Sequence, residues 1–460
     1  MPMPFDPWQS MTVAADVALA ARASSEELAK RTAGRLDALL EAATHRSPLY
    51  RHRLQGRSRG ARLADMPVVR KADLMRSFDT WCCDPGLRIE PLRRFVADPG
   101  NIGRPFLDRY TVWESSGSSG EPAVFVPDAG AMAVYDALEA LRKPDLRPLR
   151  WSYDPLGLGE RIVFLGALGG HFASTVSIER LRGLNPLLAM SISSLSFLDP
   201  IERIVAQLDA SRPRVIATYP SAAVLLAGEF RAGRLHSAPK EIWTGGETLT
   251  PAMRTFVQEA FGCPVVNSYG ASEFFSLACE CAHGALHLNS DWAILEPVDG
   301  DGRPVAPGTQ GTTTLLTNLA NHVQPLIRYD LGDRVTFLES PCACGSHLPV
   351  IEVVGRCDDT LRLGAAGHGV QVLPLALSTV LEEEAGLFDF QLIQDGPREL
   401  SLNTAARGKA ATAALQRGRA VLTTFLREQG AGAVRIHCGI GHPPRRGRTG
   451  KLPRVIGWRG

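Results

Sequence analysis

Pro213-Arg214-Val215-Ile216-Ala217-Thr218-Tyr219, an Ala- and Leu-rich stretch from Ser221 to Ala232, and Glu241-Ile242-Trp243-Thr244-Gly245-Gly246-Glu247 together decide the fold. Two short apolar runs bracket a segment of helical composition, the pattern of two strands joined by a crossover helix. Arg161-Ile162-Val163-Phe164-Leu165-Gly166 supplies another such run upstream. From about 110 to 335 runs of this kind alternate with helical stretches, which predicts α/β layering with mostly parallel strands.

On the N-terminal side, residues 12–50 are rich in Ala, Leu, Glu and Arg with apolar positions at helical spacing. They predict one or two helices ending near the Ser47-Pro48 break, and Pro67 to Leu74 reads as a docking turn followed by another helix. On the C-terminal side, the turn-rich Gly300 to Gly311 precedes a β-branched run, Thr312 to Thr317. A boundary is expected near Gly355 to Asp359. Beyond it come a strand at Phe390 to Ile393, a short run at Glu399 to Leu402, a helix from about Ala410 to Glu428 and a strand at Val434 to Cys438. The expected division is a large, multi-layer α/β N-terminal domain, 1–355, and a small mobile α+β C-terminal domain, 356–460.

With 460 residues and 45% hydrophobic content the chain can bury a large core. Its 50 basic and 48 acidic residues leave a net charge of +2, which gives no reason to expect nucleic-acid binding. No apolar run reaches the roughly 18 residues of a membrane span. Met1 to Ser10 lacks the basic and apolar regions of a signal peptide, so a cytoplasmic location is expected. The nine cysteines then argue against a disulfide framework.

Two distant segments carry chemistry. Ser115-Ser116-Gly117-Ser118-Ser119-Gly120-Glu121-Pro122 lies between Tyr110-Thr111-Val112-Trp113 and Ala123-Val124-Phe125-Val126, which read as strands. A hairpin loop of this composition can lay N–H groups and hydroxyls against a polyphosphate, because glycine removes the Cβ barrier to close approach. The Gly-Lys-Ser/Thr ending of a Walker A loop is absent. Taken alone, a Ser/Gly-rich stretch is more often a flexible connection. The second segment is Arg448-Thr449-Gly450-Lys451-Leu452-Pro453-Arg454-Val455. A lysine near a C-terminus is usually only solvated, but one held by glycine on a terminal segment can swing in and neutralise charge on a phosphoryl group. Together the segments suggest a nucleotide-dependent activating enzyme.

A third constellation is Cys279-x-Cys281-x-His283-x3-His287, followed about 55 residues later by Cys342-x-Cys344. Thiolates and imidazoles this close fit tetrahedral zinc better than a disulfide. The favoured ligands are Cys281, His287, Cys342 and Cys344, with Cys279 and His283 as spares. The bland alternative is a set of reduced, buried cysteines.

In this order the chain resembles the AMP-forming adenylating enzymes (acyl-CoA synthetase type), and within them the phenylacetate–CoA ligase-like branch. The Ser115–Pro122 loop resembles the family's phosphate loop. Trp243-Thr244-Gly245-Gly246-Glu247 resembles the strand ending beside the acyl pocket, and Asn267-Ser268-Tyr269-Gly270-Ala271-Ser272-Glu273 the Tyr-Gly-x-Thr/Ser-Glu segment. Arg328-Tyr329-Asp330-Leu331-Gly332-Asp333 resembles the ribose motif, Gly355-Arg356-Cys357-Asp358-Asp359 the interdomain hinge, and Gly450-Lys451 the catalytic-lysine segment. Relatives in this branch carry similar Cys/His sets. Three departures stand out: Glu121 where a lysine often follows the loop's second glycine, Asp330 and Leu331 before Gly332-Asp333, and a long turn from Leu363 to Gly369.

The resemblance implies a nucleotide-binding set of Ser115, Ser116, Gly117, Ser118, Ser119, Gly120, Gly246, Glu247, Tyr269, Gly270, Ser272, Asp333 and Arg356. Tyr269 offers a flat face to adenine. The two oxygens of Asp333 suit two ribose hydroxyls, and Arg356 can donate to ribose or phosphate. Glu273 would hold Mg²⁺ bridging phosphate oxygens. Lys451 would contact the substrate carboxylate and the α-phosphate as pyrophosphate departs. Asp358 would be the hinge. His171, Phe172 and Gly245 would line the acyl pocket, although a lone histidine there is more often a satisfied core residue. Small side chains at Gly245, Gly246, Ala271 and Ser272 leave room for a planar ring, so an aromatic, phenylacetate-like acid is expected.

The implied reaction activates a small carboxylic acid with ATP to an acyl adenylate, then transfers the acyl group to the thiol of coenzyme A. The alternatives are transfer to the phosphopantetheine thiol of an acyl carrier protein, and a catalytically silent zinc-stabilised binding protein on the same fold. ATP, Mg²⁺, coenzyme A and a structural Zn²⁺ are the expected companions. A homodimer is compatible with the sequence.

Overall fold

A computed structural model of the chain describes residues 5–54, 63–115, 123–144, 161–166, 168, 170–196, 199, 201–356, 361–364, 370–372, 377, 380–387, 389–445 and 453–458. Its centre is a nine-stranded sheet. In spatial order the strands are Asp333–Phe337, Val350–Arg356, Leu286–Leu288, Phe274–Glu280, Val265–Ala271, Glu241–Gly245, Val215–Thr218, Ile162–Gly166 and Ile192–Ser196. The last five are mutually parallel, as the alternation of apolar runs and helices predicts. The other pairings are antiparallel, so the sheet is mixed rather than mostly parallel.

The change of direction occurs at one place. Strand Val265–Ala271 does not enter a crossover helix; it reverses through the two-residue turn Ser272-Glu273, with Ala271 opposite Phe274. The register shifts between Tyr269 and Ala271. A Cβ on Gly270 would stand 2.0 Å from the Phe275 carbonyl oxygen, so only glycine fits this bulge.

Helices Ile201–Ser211, Pro220–Arg231 and Pro251–Phe261 cover the parallel half through Ile204, Leu208, Ala223, Leu226, Met253 and Val257, all buried. A second apolar core joins the N-terminal helices to the antiparallel half and includes Trp81, Trp113, Tyr135, Phe274 and Tyr329. Among those helices, Ser25–Arg46 starts on a capping box between Ser24 and Glu27. The expected break at Ser47-Pro48 is present, but a further short helix, Pro48–Arg53, begins there because Ser47 caps it and Pro48 occupies its first turn. No helix among the described residues is long and apolar enough to cross a membrane.

A three-stranded antiparallel sheet, Ala293–Val298, Thr313–Asn318 and Tyr329–Asp330, sits beside the large one. The docking turn lies against it, with Val69 and Tyr329 paired. Arg328 holds the joint. It is buried, and its guanidinium donates to the carbonyls of Ala64, Met66 and Gly302 and to Glu296 Oε2 at 3.2 Å. Arg328→Met should cost about 3–5 kcal/mol, because Glu296 and three carbonyls lose their partner in a dry site. Denaturant unfolding measures this; a loss below about 1 kcal/mol, roughly a fivefold change in the folded-to-unfolded ratio, would refute the role.

Residues 361–456 build their own apolar core, with Leu361, Phe390, Leu392, Leu402, Leu415 and Leu422 at its centre. Its four-stranded sheet runs Arg435–Ile440, Glu399–Thr404, Gln391–Gly396 and Val455–Ile456. Helix Lys409–Glu428 covers it, close to the predicted bounds. This small α+β unit matches the expected fold class, a large α/β body with a smaller C-terminal part.

Candidate functional site

Of the predicted site residues, Gly245, Gly246, Tyr269, Gly270, Ser272, Glu273 and Asp333 lie where the parallel strands end and the sheet reverses, the usual place for a ligand on an open α/β sheet. Gly245 ends its strand in register with Ser268. A Cβ at Gly245 would meet Ser268 Oγ at 2.9 Å, which keeps the strand bare there. Gly246 follows with φ of 76°, a left-handed conformation that favours glycine. Glu247 Oε2 accepts from the Ser221 N–H, at the start of helix Pro220–Arg231.

On the neighbouring strand the Tyr269 hydroxyl donates to Asp333 Oδ2 at 2.7 Å. This bond joins two motifs that lie 64 residues apart in sequence. Asp333 in turn pairs across strands with Arg356. Glu273 sits on the two-residue turn, where its Oε1 accepts from the Tyr329 hydroxyl at 2.8 Å. Asn318 Nδ2 braces the turn by donating to the Glu273 carbonyl at 2.9 Å and to the Tyr135 hydroxyl.

Strand Trp113–Glu114 pairs with Val124–Phe125, so the Ser/Gly-rich segment springs from a hairpin. Ser115 closes its base: its N–H donates to the Ala123 carbonyl at 2.8 Å, and its Oγ accepts from the Ala123 N–H at 2.9 Å. Trp113 Nε1 donates to the Ser272 carbonyl at 2.8 Å, which ties this base to the turn carrying Glu273. Ser116, Gly117, Ser118, Ser119 and Gly120 lie outside the described residues, as do Asp358 and Lys451.

His171 and Phe172 flank the same hairpin. The Glu114 N–H donates to the His171 carbonyl at 2.7 Å, and Glu114 bridges Phe172. The His171 ring is only 1% exposed and packs on Phe95 with centroids 5.7 Å apart. Burial lowers its pKa, against the opposing effect of nearby backbone groups of Asn101 and Val96. It is therefore a core residue that shapes the hairpin's surroundings, while Phe172 is half-buried at the start of helix Ala173–Leu184.

Away from this site, Cys281, His287, Cys342 and Cys344 converge, with all four ligand atoms within 4.8 Å of one another. Cys281 Sγ and Cys342 Sγ are 3.7 Å apart, and Cys344 Sγ and His287 Nε2 are 3.3 Å apart. Ligands on a tetrahedral zinc are separated by about 3.8 Å (S to S) and about 3.5 Å (S to N), so the set fits that ion. His287 Nδ1 lies 2.8 Å from the Leu348 carbonyl, which fixes the ring so that Nε2 faces the thiols. A hydrogen bond from the Cys344 backbone N–H lowers the Cys342 thiol toward the thiolate a metal needs, while desolvation pushes the neighbouring Cys344 thiol up. Cys279 stays apart, buried 3.7 Å from Ser276 Oγ with its thiol pushed up to about 11 by desolvation. His283 is exposed and outside the cluster. The eight cysteines among the described residues are all free.

Tyr329, Asn318 and Trp113 are the supporting residues that sequence reasoning passed over. Tyr329 stood inside a quoted motif with no role assigned, and Asn318 belongs to no motif.

No protein-family model matches the chain. It is 29% identical over 367 residues to the phenylacetate–coenzyme A ligase of Thermus thermophilus, covering 75% of this chain and 73% of that one. It is also 29% identical over 168 residues to protein CapK of Staphylococcus aureus, 35% of this chain and 34% of that one. Among solved structures, 2-hydroxyisobutyryl-CoA ligase in its postadenylation state superposes with a TM-score of 0.66 at 21% identity, over 95% of this chain and 91% of that one. An anthranilate CoA ligase with anthranoyl-AMP gives 0.53 at 16% identity, over 75% and 66%.

Proposed function

Because this chain is a relative of the AMP-forming adenylating enzymes on their phenylacetate–CoA ligase-like side, we propose that it is an acid–thiol ligase. It would activate a carboxylic acid with ATP to an acyl adenylate, releasing pyrophosphate, and pass the acyl group to coenzyme A. One observation carries the reading: three motifs, carrying Ser115, the pair Tyr269 and Glu273, and Asp333, are tied together at one sheet end by the Trp113–Ser272 and Tyr269–Asp333 hydrogen bonds.

In this proposal Ser115 to Gly120 cradle the phosphates, and Gly246, Glu247, Gly270 and Ser272 shape the nucleotide pocket beside them. Tyr269 stacks on adenine and holds Asp333 for the ribose. Glu273, oriented by Tyr329, would hold Mg²⁺ and screen the repulsion between phosphate oxygens. Lys451 would bring positive charge to the α-phosphate during displacement. A division at 355/356, with Asp358 as the hinge, would let the small unit alternate between the two half-reactions. The acid we favour is aromatic, supported by the small side chains at Gly245, Gly246 and Ala271. His171 contributes through packing, and Phe172 and Gly245 form the wall.

ATP–pyrophosphate exchange driven by a panel of aryl, hydroxy and fatty acids tests this reading, and adding coenzyme A or a loaded carrier protein names the acceptor. No exchange with any acid in folded protein would leave the silent binding protein. Asp333→Ala should raise the KM for ATP in that exchange by about 10–100-fold, the loss of two charge-assisted hydrogen bonds. An unchanged KM would remove Asp333 from the ribose.

A further inference from the structure

Residues 361–460 hold 14 of the chain's 50 basic residues but only 7 of its 48 acidic ones. The near-balance of the whole chain therefore conceals a net +7 in the C-terminal unit and −5 in the rest. The two parts also treat their cations differently. In the large body, Arg180, Arg254 and Arg328 are answered by Asp136, Glu280 and Glu296. In the C-terminal unit Arg398, Lys409, Arg417, Arg419, Arg427 and Arg435 are exposed, and none forms an ion pair among the described residues.

Four of these cations stand on one helix, Lys409–Glu428, whose only acid is its last residue, Glu428. The helix buries Leu415, Leu422 and Leu426 in the core of its own unit. Its opposite face carries Lys409, Ala413, Arg417, Ala420 and Arg427, all exposed. The charges are not placed to stabilise the helix. Lys409 sits in a first turn that has no carboxylate, against the macrodipole, and no acid lies three or four residues from a cation to pair with it. Arg417 Nε donates to the Ala385 carbonyl at 3.4 Å, which steadies the guanidinium without neutralising it. A single exposed arginine is simply solvated; a face of cations alone, on a unit of net +7, favours a polyanion.

We propose that the outer face of helix Lys409–Glu428 docks an acidic helix of a partner protein. Spacing selects that partner. Lys409 and Arg417 are eight residues apart and Arg417 and Arg427 ten, about 12 and 15 Å along the axis. Carboxylates two and three turns apart on a facing helix stand about 11 and 16 Å from each other, and Ala413 and Ala420 allow that helix to come close. A duplex phosphate backbone carries a charge every 3.4 Å or so on each strand, far denser than these cations. The face has no aromatic ring on which a base could stack and no large apolar side chain to enter a bilayer. The span from Lys409 to Arg427, about 27 Å, exceeds what one small anion can bridge.

The test uses the full chain and a fluorescein-labelled, alanine-based helical peptide with Glu at two-turn and three-turn spacing on one face, followed by anisotropy at low salt. The peptide should bind saturably, and its counterpart with Gln for Glu should not. Arg417→Glu combined with Arg427→Glu should weaken binding on the order of tenfold, while Arg417→Lys with Arg427→Lys should stay within about threefold of the unsubstituted chain. Salt at about 0.3 M should weaken it several-fold. Absence of saturable binding, or equal binding by the charge-reversed variant, would overturn the proposal. Tighter binding of a single-stranded oligonucleotide or of phosphatidylserine vesicles of matched charge would overturn it too, and would assign the face to nucleic acid or membrane instead. These readouts hold whether or not the chain exchanges pyrophosphate with any acid, so the ligase reading and this one fail separately.

Discussion

Lys451→Ala should cut ATP–pyrophosphate exchange by about 10²–10³-fold, the usual loss when one preorganised positive or donor group is taken from a developing charge. Thioester formation from a supplied acyl adenylate should be nearly unaffected, since the phosphoryl displacement is already complete. The asymmetry is the informative part. A lysine that only stabilised the fold would depress both half-reactions together. One that acted in thiol attack would depress the second. The neighbouring Gln391 makes the first outcome physically reasonable. Its side-chain amide accepts from the Arg445 N–H at 2.8 Å and donates to the carbonyls of Arg445 and Pro453 at 2.7 and 2.9 Å. Both chain ends around the lysine segment are thus held to one buried residue, so substituting Lys451 leaves the surrounding sheet intact.

Cys342→Ser should release zinc from the purified protein and lower Tm by roughly 6–12 °C, taking about 3 kcal/mol of metal-dependent stability at about 2–4 °C per kcal/mol. The four side chains connect the hairpin around 281–287 to the loop at 342–348, and by register His287 lies two strands from Ser268, with Cys279 between them. Four protein ligands leave no open position for a substrate. Exchange activity in the remaining folded protein should therefore stay within about twofold of the unsubstituted level. Metal analysis that finds no zinc in the unsubstituted protein would remove the idea. Activity that disappears while Tm is unchanged would make the metal part of the chemistry.

The α/β half was legible because its signals are local. Apolar runs such as Val215–Thr218 and Glu241–Gly245, separated by a helical stretch, allow little besides parallel strands with a crossover. The convergence of Cys281, His287, Cys342 and Cys344 was legible from spacing, since Cys-x-Cys pairs and a nearby histidine have few other uses in a reduced chain. The reversal at Ser272-Glu273 was not. Short hairpins usually announce themselves with Asn-Gly or Gly at the turn, and this one has neither; its glycine, Gly270, serves the bulge before it. The brace residues were also hidden. Trp113, Asn318 and Tyr329 reach the turn through hydrogen bonds to partners 159, 45 and 56 residues away, and no one-dimensional pattern encodes such contacts. His171 shows the converse: a motif-like Gly169-Gly170-His171-Phe172 suggested a pocket wall, and the fold spends the imidazole on packing against Phe95.

The turn at Ser272-Glu273 also divides the sheet by assembly order. From Val265 to Leu288 every pairing within that stretch is between strands adjacent in sequence, so it needs only short loop closures. The parallel strands each wait for an intervening helix to form before they can meet. Contact order therefore makes the antiparallel meander the early template and the parallel half the late addition. The tip bearing Glu273 would then be in place before the strand end at Gly245 arrives beside it.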